Sequence, residues 1–195
     1  MINYTISYSN PHRHFVDFEF STTTNGADKM QFQLPAWRPG RYELADFAQN
    51  VQKWGAFDEN NKALAFKKIT KDLWEVETKE AVEVTIVYNF YANQLDAGGC
   101  YLDEYQLYLN PVHCMFYIVG RIEEKYQIHL QIPQDYKIAC SMDQQKNTLT
   151  VKGYDLLAES PIICSDSLQQ GEYEVNGIKF NIWFQGFCNP NLKKI

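Results

Sequence analysis

The stretch VEVTIVYNFYA, residues 82–92, alternates through Val82, Val84, Ile86, Tyr88 and Phe90. A period of two puts these five on one face of an extended strand, whereas a helix would scatter them around its axis. The same period recurs on both sides. Ile2, Tyr4, Ile6 and Tyr8 share a face, as do Val16, Phe18 and Phe20, with Asp17 and Glu19 opposite. Met30, Phe32 and Leu34 mark a third strand, which Pro35 should end. Strand patterns continue at 51–57, ALAFKKI, LWEVET, CMFYIVG, YQIHLQI, NTLTVKG and SPIICSD. In GEYEVNGIKFNIWFQG, Asn176-Gly177 between two apolar runs signals a hairpin. Leu44, Phe47, Ala48 and Val51 fall instead at helical spacing and predict a short helix near residues 43–49. Many short strands with turns between them predict an all-β fold: a β-sandwich of mainly antiparallel strands with one or two short helices.

The composition narrows the function. Twenty-four acidic residues against 18 basic give a net charge of −6, which argues against nucleic acid as the main partner. No run reaches the roughly 18 apolar residues of a membrane helix. The start, MINYTISYSNPHRHF, alternates and has no basic leader, so the sequence as it stands reads as cytoplasmic; export would require a signal already removed. Five cysteines, Cys100, Cys114, Cys140, Cys164 and Cys188, are widely spaced, odd in number and without C-x-x-C. They read as free thiols rather than a disulfide framework or zinc site.

Signatures of chemistry are missing from the chain. It has no H-E-x-x-H, no G-x-S-x-G and no glycine-rich phosphate loop. His12 and His14, two apart, suit one strand face, but a metal needs a third ligand and outer support. Asp96, Asp103 and Glu104 lie in the segment 92–111, where the alternation breaks and Gly98-Gly99 permits unusual backbone angles. Two uses are open to them, lining a cleft or a solvated loop, and the loop is the reading preferred.

The informative loop is LPAWRPGRYELADFAQNV, residues 34–51. Pro35 holds Leu34 extended, and Arg38-Pro39-Gly40-Arg41 suits a type II turn. Trp37, Arg38, Arg41 and Tyr42 are thereby concentrated on a stiff crossing. Two uses compete: a structural corner with Trp37 and Tyr42 packed at a core edge, or an edge presented to another domain or a substrate cleft. Trp, Tyr and Arg are the residue types that dominate interface hot spots.

Pro35, Trp37, Pro39, Gly40 and Tyr42, followed by Asn50-Val51, resemble the N-terminal domain of the M61, glycyl aminopeptidase-like metallopeptidases. NPHRHFVDFEF, YLDEYQLYLNP, ESPIICSD and GEYEVNGIKFNIWFQG resemble further segments of that domain in the same order. The resemblance implies that residues 1–186 form a β-sandwich accessory domain and 187–195 a stub leading to a catalytic domain not contained in this chain. It implies no catalytic residue and no metal or cofactor here, zinc being expected in that other domain. The chain alone would not be an enzyme; the parent would be a zinc aminopeptidase. Its partners would be that catalytic domain and the parent's peptide substrate, with no nucleic acid or membrane. Trp37, Arg38, Arg41 and Tyr42 are the candidate interdomain or substrate-cleft residues. The alternative is a free-standing ligand-binding module, for example for carbohydrate, with Trp37, Tyr42 and Trp54 as an exposed aromatic platform.

Overall fold

A computed structural model describes residues 1–38, 40–41 and 43–187. The fold is all-β. Its large sheet runs in the order Asp143–Gln145, Thr148–Lys152, Lys125–Leu130, Ile2–Ser7, Phe15–Thr23, Glu83–Tyr91, Val51–Asp58. All neighbours are antiparallel except Ile2–Ser7 and Lys125–Leu130, which run parallel. The alternation in the sequence becomes a row across this sheet. Leu149, Ile128, Tyr4, Phe20, Ile86 and Ala56 stand side by side, all buried. A slip of one residue would put Thr5 or Glu19 into that row, so burial fixes the register.

A second sheet, in the order Tyr117–Ile118, Lys29–Gln33, Leu73–Glu77, Phe66–Lys68, faces this row. Phe32 meets Phe20 edge-on, ring centroids 5.5 Å apart, and its cross-strand neighbour Trp74 meets Phe116 at 5.1 Å. Edge-to-face contact of this kind suits the ring quadrupoles. A third sheet, Lys137–Ala139, Ile162–Ser165, Leu107–Leu109, Tyr101–Leu102, joins the same core. The hairpin Gln169–Val175 and Ile178–Phe184 forms its own two-stranded sheet. Its Asn176-Gly177 turn has φ of 52° and 80°, the left-handed pair that a two-residue turn requires.

Three expectations are corrected. The helix predicted near 43–49 is only a 3-10 turn, Phe47–Asn50. Leu44, needed for an apolar helical face, is 79% exposed, and Val51 already belongs to a strand. CMFYIVG is not one strand: Cys114 closes the helix Pro111–Cys114, and only Tyr117–Ile118 pairs. Asn110-Pro111 sets that boundary, since proline at the first helical position costs no hydrogen bond. Trp54 does not join an exposed aromatic platform either, and Tyr42, the platform's third expected member, lies outside the described residues. A bulge between Gln52 and Gly55, with Lys53 at φ 53°, turns Trp54 inward. Its ring packs between Phe66 and Trp74, with centroids at 4.6 and 5.7 Å.

The chain from Cys114 to Phe116 crosses the core without regular pairing, so its backbone needs other partners. Tyrosine hydroxyls supply them. Tyr88 donates to the Cys114 carbonyl at 2.7 Å and Tyr154 to that of Met115 at 2.7 Å. Tyr4 donates to the Phe116 carbonyl and accepts from the Phe116 N–H, both at 2.9 Å. Burial pushes all three phenols well above their ordinary value, which keeps the donating proton in place. Tyr4→Phe keeps the ring but strands a buried N–H and a buried carbonyl. It is expected to cost about 2–3 kcal/mol, against about 1 kcal/mol for Tyr154→Phe. Urea unfolding checks this: a shift in midpoint at unchanged slope, larger for Tyr4→Phe.

Candidate functional site

The loop after Gln33 is closed at its neck by Ala45 N–H donating to the Ala36 carbonyl at 2.7 Å. At its tip, Arg41 N–H donates to the Arg38 carbonyl at 3.3 Å and Gly40 has φ 84°. That is the geometry expected of a turn with glycine third; Pro39 and Tyr42 lie outside the described residues. Trp37 is not packed into a corner. The residue is 48% exposed, and its Nε1–H donates across the loop to the Arg41 carbonyl at 2.5 Å. The indole therefore stiffens the loop while presenting a face outward.

A second loop, residues 93–99, receives the arginines. Arg38 Nη1 donates to the Ala97 carbonyl at 2.9 Å. Both guanidiniums press on Gly98: a Cβ there would stand 2.7 Å from Arg41 Nη2 and 2.8 Å from Arg38 Nη2. At Gly99 a Cβ would meet the Gln94 carbonyl oxygen at 2.2 Å. Neither glycine has a positive φ, so close approach, and not unusual backbone angles, calls for glycine here. Asp96 organises the loop by accepting from Gly98 N–H at 2.6 Å and from Gln94 Nε2 at 2.8 Å. Those two bonds, with smaller help from Arg41 and Arg38, hold its carboxyl below the ordinary range.

Between the loops lies a cavity of about 180 Å³ lined by Arg38, Arg41, Phe47, Gly98, Cys100 and His113, among others. Glu43 and Asp46 also line it, so the arginines do not make it purely cationic. Its floor comes from the helix Pro111–Cys114. The His113 ring stacks on Phe47 with centroids 4.0 Å apart, and its buried Nε2 has no hydrogen-bond partner among the described residues. Asn110 ties floor to wall through Nδ2, which donates to the Gly99 carbonyl at 2.6 Å.

The residues singled out in the sequence separate accordingly. Trp37, Arg38 and Arg41 come together on one loop, with Trp37 and Arg41 exposed and Arg38 half-buried. His12 and His14 do not converge: His14 Nδ1 contacts the Leu102 carbonyl at 2.6 Å, and His12 reaches Glu104 at 3.5 Å. Asp103 accepts from the N–H groups of Tyr105 and Gln106, a loop role. Among the described residues, no three His, Cys, Asp or Glu side chains stand close enough to share a metal. Cys100 and His113 were not singled out. The usable signal was Asn110-Pro111 as a helix start, which brings His113 and Cys114 inward on the first turn.

A family model described as the peptidase M61 N-terminal domain matches residues 3–166. No curated protein matches the chain. Among solved structures, an aminopeptidase N family protein from Idiomarina loihiensis superposes with a TM-score of 0.89 at 26% identity, over 100% of this chain and 34% of that one. An M1 zinc metallopeptidase from Deinococcus radiodurans aligns over 99% of this chain and 50% of that one, at 10% identity and a TM-score of 0.49. The chain thus spans about a third of the first structure.

The exposure of Trp37 sets a test of the loop. Trp37→Ala should lower stability by less than about 1 kcal/mol. Trp74→Ala, which empties a buried site, should cost about 3–5 kcal/mol. Equal losses in urea unfolding would mean that Trp37 is a core residue after all.

Proposed function

The chain belongs to the peptidase M61 N-terminal domain family, and from that premise we propose that it is the non-catalytic N-terminal domain of a zinc aminopeptidase, bracing the catalytic domain and walling its substrate cleft with the Trp37–Arg41 edge. One observation carries the reading: a half-exposed tryptophan and two arginines, fixed by the Trp37–Arg41 and Arg38–Ala97 hydrogen bonds, stand on a loop stiff enough to dock without much further ordering. Arg38 and Arg41 suit carboxylates of a neighbouring domain or of a peptide, because the planar guanidinium pairs with both carboxylate oxygens at once. The terminal hairpin supports the reading as well. Val175, Ile178 and Phe180 are 48%, 61% and 41% exposed, a patch fitted to cover by another domain.

Among the described residues no ligand set for zinc gathers. The metal belongs to the catalytic domain of the proposed parent, and no step of hydrolysis is assigned to residues here. The test is made in the full-length parent. Arg38→Ala with Arg41→Ala should lower kcat/KM for aminopeptidase substrates about tenfold, equivalent to about 1.4 kcal/mol. Melting of this domain should change little. Unchanged kcat/KM sinks the cleft-wall role. A reading frame without H-E-x-x-H downstream of Ile195 sinks the whole proposal.

A further inference from the structure

Below the arginine-lined cavity sits a thiol pair to which the proposed role gives no task. Cys100 Sγ accepts from the Asn110 N–H at 3.3 Å and lies 3.7 Å from the Asn110 carbonyl oxygen. Cys114 Sγ donates to that same oxygen at 3.4 Å. The two thiols are thus gathered on one residue, Asn110. The imidazole of His113, 3% exposed and with Nε2 unpartnered, lines the same cavity as Cys100. Cys100 and His113 both line the cavity, whereas Cys114 is sealed behind them.

The two sulfurs are unlike. Burial opposes ionisation of Cys100, but the Cys114 thiol, the His113 imidazole and the Asn110 N–H outweigh it and bring Cys100 below the ordinary cysteine range. At Cys114, burial and the adjacent Cys100 push the thiol well up. A low thiol facing a cavity with a protonated thiol behind it is the arrangement of an attacking and a resolving cysteine.

We propose that Cys100 and Cys114 form an oxidation site, in which Cys100 reacts with hydrogen peroxide entering through the cavity and Cys114 closes the product to a disulfide. Cys100 gives its proton to His113. Its sulfur attacks one peroxide oxygen, the O–O bond breaks, and the departing hydroxide takes the proton from His113 and leaves as water. Cys100 is oxidised by two electrons to the sulfenic acid, and the peroxide is reduced by two. The Cys114 sulfur then attacks the Cys100 sulfur. An S–S bond forms, the S–O bond breaks, and the departing hydroxyl leaves with the Cys114 proton as a second water.

The test is made on the reduced chain with dilute hydrogen peroxide, alkylation at timed intervals and peptide mass spectrometry. Cys100 and Cys114 should become linked, with loss of two hydrogens, at least about tenfold faster than Cys140 or Cys164 loses its free thiol. Accessibility alone predicts the reverse order, because Cys140 is the most exposed of these four. Cys114→Ser should stop at a sulfenic acid on Cys100 that a carbon nucleophile traps, and Cys100→Ser should leave Cys114 unoxidised. If Cys140 reacts first in the unaltered chain, or Cys100 and Cys114 remain alkylatable, the proposal is wrong, whatever the variants do.

Discussion

Three buried tyrosine hydroxyls hold the chain at Cys114, Met115 and Phe116, and the remaining architecture is arranged around that grip. The segment must pass from the helix Pro111–Cys114 to the strand Tyr117–Ile118 through the interior, where no strand pairs with it. Unpaired backbone groups there would each cost as much as a lost hydrogen bond. Tyr4 and Tyr88 come from the large sheet and Tyr154 from the helix Tyr154–Ala158, so one crossing ties three parts of the fold together. Their rings serve a second purpose. Tyr4 stacks on Phe20 at 4.7 Å and Tyr88 on Phe18 at 4.9 Å, so the same side chains fill the core and satisfy its polar groups.

That grip also positions the cavity. With the far end of the helix fixed at Cys114, its first turn is set by Asn110, whose side chain is bonded to the opposing loop. The floor under Arg38 and Arg41 is therefore rigid for reasons remote from either arginine. The edge carrying Trp37 inherits its position from that floor through the Arg38–Ala97 bond.

The sequence was readable where the cause is local. Period-two alternation located the strands holding Tyr4, Phe18 and Ile86, and Asn176-Gly177 located its hairpin, because a turn of two left-handed residues is decided by those residues. The stiff loop was readable for the same reason. What escaped was decided by partners distant in sequence. Nothing in Ile2–Ser7 announces that it will lie parallel to Lys125–Leu130. Trp54 looked like a candidate platform until the bulge between Gln52 and Gly55 redirected the ring. The helical spacing at Leu44, Phe47 and Ala48 lost to a strand that begins at Val51. Gly98 and Gly99 read as points of freedom, but two guanidiniums and a carbonyl make them points of contact.

The parallel pairing of the first strand has a consequence for synthesis. Ile2–Ser7 leaves the ribosome more than a hundred residues before Lys125–Leu130, its partner on one side. During translation its backbone donors and acceptors on that side stay open until residue 130 has emerged. In the interval, the growing chain carries a hydrophobic strand edge of the kind that invites pairing with other chains. The domain is therefore a late folder on the ribosome: the hairpins between residues 15 and 91 can assemble as they appear, while the sheet closes only when its earliest strand meets one of its later ones.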